Sequence, residues 1–301
     1  MGCLTGALPI LSVIPITGNT PIVGCSNSIP KPPGTIVKYH PGSSQRYGIP
    51  MKRDLFFSKP LINAAGSLGF VPDLRGLKNL GGLELGAFVT NPVSLRPRVA
   101  TLHPSLVEFP GGFLLHTGLP NPGFHSVLKK FSAKWNRAEL PIIVHLMADR
   151  PEETQNMVRE LETVENVMAV QLGFAPLLAD DIILLNLEMC LGEIPLIFAL
   201  PHEQVLTLGR PLMDGGASAI SIAPPRGALY DRTGDLITGR MYGQSLFPRS
   251  LDIVRSAGMI GLPVIGSGGV WSQADVESML TAGAMAVEVD ARLWVPGEAM
   301  P

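Results

Sequence analysis

A glycine-rich turn is the part of this sequence best suited to hold a ligand. Residues 262–270 read Leu-Pro-Val-Ile-Gly-Ser-Gly-Gly-Val, so a short apolar strand ends in Gly266-Ser-Gly-Gly269. Ser272 then fits the cap of a helix, and a second apolar strand follows Gly283. Glycines let main-chain N–H groups approach an anion, and the helix N-terminus behind them is electropositive. The pattern predicts either a phosphate site or a tight strand-to-helix turn without a ligand.

Among the titratable side chains, His145 is the candidate for acid–base chemistry. It follows the apolar run Ile142–Val144, where a parallel strand would end at the mouth of its sheet. The alternative, which the apolar setting favours, is a hydrogen-bonded histidine of the core or rim. Asp180 and Asp181 resemble a metal-binding pair, but no histidine or third carboxylate accompanies them. We therefore expect a helix start there and no metal site.

Short apolar runs alternate with helical stretches from about residue 51 onward. We predict strands at Phe88–Asn91, Ile142–Leu146, Ala169–Leu172, Leu196–Leu200, Ala219–Ile222, Val264–Gly266 and Ala286–Val289. We predict helices at Gly123–Phe131, Pro151–Val164, Ile182–Cys190, Glu203–Asp214, Leu246–Ser256 and Ser272–Leu280. This many strand-then-helix units predict a closed (β/α)₈, or TIM, barrel with the glycine turn after one of its last strands.

The composition excludes several classes of protein. The net charge is −2, so nothing calls for nucleic acid as a partner. No run of about 18 apolar residues predicts a transmembrane segment. Charged residues make up 16%, against roughly 25% in an average protein. We expect the apolar excess to lie in a buried barrel and in a subunit interface, so the chain would form a homo-oligomer or bind partner subunits. A peripheral membrane association would then arise only through such a complex.

The three cysteines have neither metal-ligand spacing nor an even count. The start of the chain lacks the basic segment of a secretory signal. Both observations predict a cytoplasmic protein.

Residues 1–50 differ from the rest of the chain, because they contain eight prolines and no acidic residue. The prolines preclude a long helix, yet the apolar residues between them favour burial. We predict a Pro/Gly-rich extended arm at 1–50, packed on its own barrel or on a neighbour, followed by a barrel domain at 51–301. The alternative is a disordered leader.

Five motifs between about Phe57 and Ala291 occur in the order that they take in one known family. They are Asn63-Ala-Ala-Gly66, Gly86-Ala-Phe-Val-Thr-Asn-Pro-Val-Ser-Leu-Arg-Pro-Arg98, Thr117-Gly-Leu-Pro-Asn-Pro-Gly123, Gly239-Arg-Met-Tyr-Gly243 and Gly266-Ser-Gly-Gly269. Together they resemble the class 1 dihydroorotate dehydrogenases, which are FMN-dependent (β/α)₈ barrels. The resemblance implies a flavin site formed by Ala64, Ala65, Gly66, Gly243, Gly266, Gly268, Gly269 and Arg292.

The sequence departs from that family at positions that carry chemistry. Asn91 and Ala199 stand where the family has lysines, and Asp290-Ala291 replaces its Gly-Thr. Leu115, Gln171 and Pro224 stand where it has substrate-binding asparagines, and the loop after Gln171 contains no cysteine or serine. The resemblance offers no matching cation near the flavin.

These departures lead to two expectations about function. The first is a pseudoenzyme, namely a non-catalytic structural or accessory subunit that kept the barrel and lost the dihydroorotate site. The alternative is an FMN-dependent oxidoreductase that acts on a different small substrate and uses His145 or another base.

Overall fold

The computed structural model describes residues 54–72, 84–103 and 105–295. The arm at 1–50 lies outside these residues, so the arm and the domain boundary stay predictions.

From Phe124 onward, strands and helices alternate along the chain, apart from two inserted strands, Arg226–Tyr230 and Leu236–Tyr242. The strands are β1 (Leu61–Asn63), β2 (Phe88–Val89), β3 (Ser105–Phe109), β4 (Gly112–His116), β5 (Ile142–Met147), β6 (Val167–Gly173), β7 (Leu196–Leu200), β8 (Ala219–Ile222), β9 (Arg226–Tyr230), β10 (Leu236–Tyr242), β11 (Val264–Gly266) and β12 (Ala284–Val289). The helices are α1 (Phe124–Trp135), α2 (Pro151–Glu162), α3 (Asp180–Cys190), α4 (His202–Gly215), α5 (Phe247–Met259) and α6 (Gln273–Thr281).

Eight parallel strands form the barrel. Their order is β1-β12-β11-β8-β7-β6-β5-β2. A parallel bridge between Ile62 and Ala87 joins the two ends of this order. The Asn63 side chain strengthens that seam, because its amide donates to the Val89 carbonyl at 2.7 Å and accepts from the Val89 N–H at 2.9 Å. The predicted (β/α)₈ barrel is confirmed.

The barrel interior changes from apolar to polar toward the carboxyl ends of the strands. The lower layer is a buried cluster that includes Ile62, Val89, Ile143, Ala169, Ile197, Ala219, Ile265 and Ala286. Side chains two residues further along a strand point to the same face. The next layer therefore contains His145, Gln171, Ser221, Ser267 and Glu288, all of them buried. The fold thus places a polar layer next to the apolar layer, on the side of the carboxyl ends of the strands.

The predicted strands and helices are all present, with ends that move by a few residues. At α6 the Ser272 hydroxyl accepts from the Asp275 N–H at 3.2 Å, and the Asp275 carboxylate accepts from the Ser272 N–H at 2.8 Å. This reciprocal capping box confirms the predicted helix start. No helix among residues 54–72, 84–103 and 105–295 is long and apolar enough to cross a membrane.

A second sheet, absent from our sequence prediction, is formed by two inserted hairpins. Its four antiparallel strands have the order β3-β4-β10-β9. Burial alternates along β3 and β9, which is the pattern of strands with one solvated face. Residues of β4, β9 and β10 reach the mouth of the barrel, so this sheet contributes to the site described next.

Candidate active site

A cavity of about 340 Å³ opens at the carboxyl ends of the barrel strands. Its walls include Ala64 and Ala65 after β1, and the polar residues His145, Gln171, Ser221 and Glu288. The two alanines leave room that larger side chains would fill. The structure therefore brings together three of the predicted site residues, Ala64, Ala65 and His145, at one opening.

A hydrogen-bonded chain crosses one side of the cavity. The His145 Nδ1 lies 2.7 Å from the Gln171 Oε1. The Gln171 Nε2 donates to the Ser221 Oγ at 2.8 Å and to the Glu288 Oε1 at 2.7 Å. The Glu288 side chain also hydrogen-bonds Ser267. Four barrel strands and the turn after β11 therefore contribute to one connected group.

These hydrogen bonds determine the tautomer of His145. The Gln171 amide uses its two N–H bonds on Ser221 and Glu288, which leaves its carbonyl oxygen to face the imidazole. A carbonyl oxygen only accepts, so Nδ1 carries the proton and Nε2 keeps a lone pair. The Nε2 atom lies against Gly173, where a Cβ would collide with it. A glycine at the end of β6 is therefore required by the imidazole.

Burial keeps the two titratable groups of this hydrogen-bonded network, His145 and Glu288, neutral. It lowers the pKa of His145 to about 4, an effect that the hydrogen bond donated to Gln171 partly offsets and the charge of Arg240 increases. Burial raises the pKa of Glu288 to about 8, against the hydrogen bonds from Gln171 and Ser267. At neutral pH the site thus contains an unprotonated imidazole and a protonated carboxylic acid.

The rim of the cavity is cationic. Arg98, Arg226 and Arg240 line it, together with the phenol of Tyr242. Arg98 lies 4.0 Å from the Asp149 carboxylate. No cation stands at the positions of the family's lysines, but three arginines line the cavity instead. Sequence comparison looked for lysines at Asn91 and Ala199, whereas the positive charges come from the second sheet and from the loop after β2.

The glycine turn forms a second, separate part of the site. Gly268 and Gly269 are buried with φ of 99° and 77°, and they do not line the cavity. A Cβ at Gly269 would collide with the main chain of Phe247 and approach the Gly243 carbonyl. Within the described part of the chain, the N–H groups of Gly268, Gly269 and Val270 donate no hydrogen bond. Such buried, unpaired donors fit the phosphate of FMN.

The other residues of the predicted flavin site have mixed surroundings. Gly266 lies against Met279 of α6, where a Cβ would come within 3.0 Å of the sulfur. Gly66 lies in the turn after β1, with φ of 91°. The buried Arg292 guanidinium lies 5.9 Å from the ring of Trp271, which follows the glycine turn. Arg292 therefore lies close to that turn.

Asp290 occupies a donor that a phosphate would otherwise use. Its Oδ1 accepts from the Ala291 N–H at 2.5 Å. Its Oδ2 is buried without a hydrogen-bond partner among the described residues, and burial raises the pKa of this carboxyl to about 6. The Ala291 N–H is thus already used, whereas the N–H groups of Gly268, Gly269 and Val270 are available to an anion.

Our sequence reasoning missed Glu288 as a site residue. The signal was present, because a single glutamate interrupts the apolar run Ala284–Val289. A charged residue inside a parallel barrel strand is seldom buried unless it is paired. Its partner, Gln171, lies 117 positions away, and only the folded barrel shows the contact.

Comparison with known proteins points to one family. A family model described as "Dihydroorotate dehydrogenase" matches residues 53–174. The "Dihydroorotate dehydrogenase B (NAD(+)), catalytic subunit" of Pelobacter propionicus is 28% identical over 254 residues, which cover 76% of this chain and 82% of that protein. The proteins of the same name from Pyrococcus horikoshii and Streptococcus pneumoniae are each 29% identical, covering 80% and 78% of this chain and 84% and 83% of their own lengths.

The expectation of a non-catalytic subunit, and with it the description as a pseudoenzyme, is wrong. Relatives that match the chain over most of its length carry the name of a catalytic subunit. Nothing in the described residues shows that the site is lost. Single substitutions at family positions do not show what the folded cavity contains. The cavity instead contains a connected polar layer and a cationic rim.

Proposed function

We propose that this chain, which belongs to the dihydroorotate dehydrogenase-like barrels, is an FMN-dependent oxidoreductase that oxidises a dihydropyrimidine of the dihydroorotate type. The observation that carries the proposal is the cavity at the carboxyl ends of the barrel strands, where His145 is held in one tautomer by Gln171. Catalytic residues in such barrels come from these strand ends.

The residues divide the work between binding and proton transfer. Gly268 and Gly269 would hold the phosphate of FMN, while Ala64 and Ala65 leave room for a ring at the cavity. Oxidation of a dihydropyrimidine removes a hydride and a proton from neighbouring carbons. FMN, when bound, supplies the acceptor for the hydride.

His145 takes the proton in this proposal. Its Nε2 carries the lone pair, and burial keeps the ring unprotonated at neutral pH. The bond from Nδ1 to Gln171 stabilises the imidazolium that forms, in the way a carboxylate or amide orients other catalytic histidines. The base thus comes from β5 and not from a loop cysteine or serine.

We further infer that the chain works within an assembly. The curated relatives are named as catalytic subunits, which supports a second subunit that passes electrons to a final acceptor. The low fraction of charged residues, 16%, supports a buried interface.

The test is an assay of the purified full-length chain with FMN and dihydroorotate, in the presence of fumarate, a quinone or NAD. We expect turnover above a blank without protein. His145→Gln should lower kcat by about 10²–10⁴-fold, the range for a general base, and leave FMN binding unchanged.

The matched control is His125→Gln, which removes an exposed histidine of α1 that lies 3.8 Å from Glu160 of α2. It should retain full turnover. If the wild-type chain binds FMN but dihydroorotate never reduces it, the proposed substrate is wrong. If the protein neither binds FMN nor quenches its fluorescence in a titration, the proposed cofactor is wrong.

A further inference from the structure

Two arginines face each other across neighbouring strands at the cavity. Arg226 of β9 and Arg240 of β10 are direct partners in the antiparallel register, and both line the cavity. Directly opposed residues bring their Cβ atoms within about 4.5–5.5 Å, and like charges in this arrangement are destabilising. Burial first, and then the charge of Arg240, lower the pKa of Arg226. Arg226 is exposed, so solvent screens the repulsion, and the pair is unfavourable for the protein alone by a small amount.

No acidic side chain neutralises this pair within the described part of the chain. Several other arginines do have acidic neighbours, namely Arg96 and Arg150 with Glu153, Arg98 with Asp149, Arg210 with Asp214, and Arg249 and Arg255 with Asp252. The side chain of Arg240 hydrogen-bonds the phenol of Tyr242, which is neutral.

The two acids of the cavity do not compensate the pair. Asp149 lies beside Arg98, and Glu288 is held by Gln171 and Ser267. Both acids therefore have partners of their own.

A third residue, Leu115, lies in the same cross-strand row as the two arginines. Leu115 of β4 pairs with Arg240 on the other side, so Leu115, Arg240 and Arg226 form one row that lines the cavity. Leu115 stands at the position of a substrate-binding asparagine in the related family. Leu115 lacks the amide of that asparagine, but two guanidinium groups lie beside it in the same row.

We propose that Arg226 and Arg240 form an anion subsite that binds the carboxylate of the substrate. The planar guanidinium groups of two arginines can each donate two parallel N–H bonds to a carboxylate. Binding of the anion cancels the repulsion between them, so the subsite favours a charged ligand over a neutral one of the same shape. The choice of a substrate carboxylate rests on the proposed function, whereas the anion subsite itself does not.

The first test compares two ligands that differ only in the carboxylate. Orotate and uracil share the pyrimidine ring, and their dissociation constants are measured by calorimetry on the full-length protein. We expect the wild type to prefer orotate by at least 10-fold. Arg226→Met with Arg240→Met should remove this preference and leave uracil binding unchanged. Arg232→Met, in the turn of the same hairpin and away from the cavity, is the control that should retain it.

A charge-reversal variant separates loss of the subsite from misfolding. Arg226→Glu places an acid opposite Arg240 and turns a repulsive cross-strand pair into an attractive one. We expect a melting temperature above that of the wild type together with loss of the preference for orotate. A variant that is more stable and yet no longer binds the anion cannot be explained by unfolding.

Sulfate provides a probe that does not depend on the substrate. At constant ionic strength, sulfate should raise the melting temperature of the wild type more than chloride does, and this difference should vanish in the double methionine variant. A positive sulfate result without a preference for orotate supports the subsite and contradicts the proposed dihydroorotate substrate. If both the sulfate difference and the orotate preference are insensitive to the two arginines, the subsite does not exist.

Discussion

At the scale of single residues, Glu288 and His145 show how far a sequence can identify a site. His145 could be identified because a histidine at the end of an apolar strand stands out locally. Its role depends on the Gln171 amide and thereby on Glu288, whose contacts connect strands far apart in sequence. Residue type was therefore visible in the sequence, whereas tautomer, burial and protonation depended on contacts that form only in the folded barrel.

Glu288 should make stability depend on pH in a defined direction. Burial raises its pKa from an ordinary value of 4.5 to about 8 in the folded protein, so the folded state binds the proton more tightly. The stabilisation is complete below pH 4.5 and is lost as pH rises toward 8. In urea unfolding, the wild type should lose stability relative to Glu288→Gln by up to about 1.4 kcal/mol for each pH unit in this window.

The exposed Glu277→Gln on α6 is the control and should follow the wild type at every pH. Asp290 has a pKa of about 6 and also titrates within this window, but it is present in all three proteins, so to a first approximation its contribution cancels in the differences. Equal pH slopes for the wild type and Glu288→Gln would show that Glu288 is charged throughout.

At the scale of elements, the parallel barrel was predictable and the inserted sheet was not. The strand β7 is a continuous apolar run, and β5 and β8 each contain a single polar residue, because both faces of these strands are buried. Such runs are visible in the sequence. The strands β3 and β9 have one solvated face, so their alternating pattern is weak over five residues. The arginine pair lies in this unpredicted sheet, so a comparison with the family's lysine positions could not find it.

The glycine turn after β11 should tolerate no side chain. Gly269 has φ of 77°, and a Cβ there would collide with the main chain of Phe247. Gly261 has a similar φ of 72° with open space around it. In denaturant unfolding we expect Gly261→Ala to cost about 1 kcal/mol, the penalty for left-handed backbone, and Gly269→Ala to cost clearly more. Equal costs would mean that the contact between the turn and Phe247 is loose.

At the scale of the whole molecule, composition predicted an interface without locating it. The structure supplies one candidate surface on the second sheet. Leu106, Tyr230 and Leu236 are 57%, 71% and 55% exposed, and Tyr230 and Leu236 are direct cross-strand partners. Their register places them on the same face of the sheet as Arg226 and Arg240. An apolar surface at the mouth of the cavity is suited to a protein neighbour rather than to water.

This surface leads to a prediction about mass in solution. Light scattering of the full-length chain, purified alone, should give more than its monomer mass of 32.1 kDa. Tyr230→Glu combined with Leu236→Lys replaces the apolar pair by an ion pair, which keeps the hairpin paired while making its face polar. We expect this double variant to be monomeric and as stable as the wild type. Leu206→Glu, an exposed leucine on α4 outside this sheet, should leave the mass unchanged. If the double variant keeps the mass of the wild type, the chain associates through another surface, and the apolar sheet face then has no part in self-assembly.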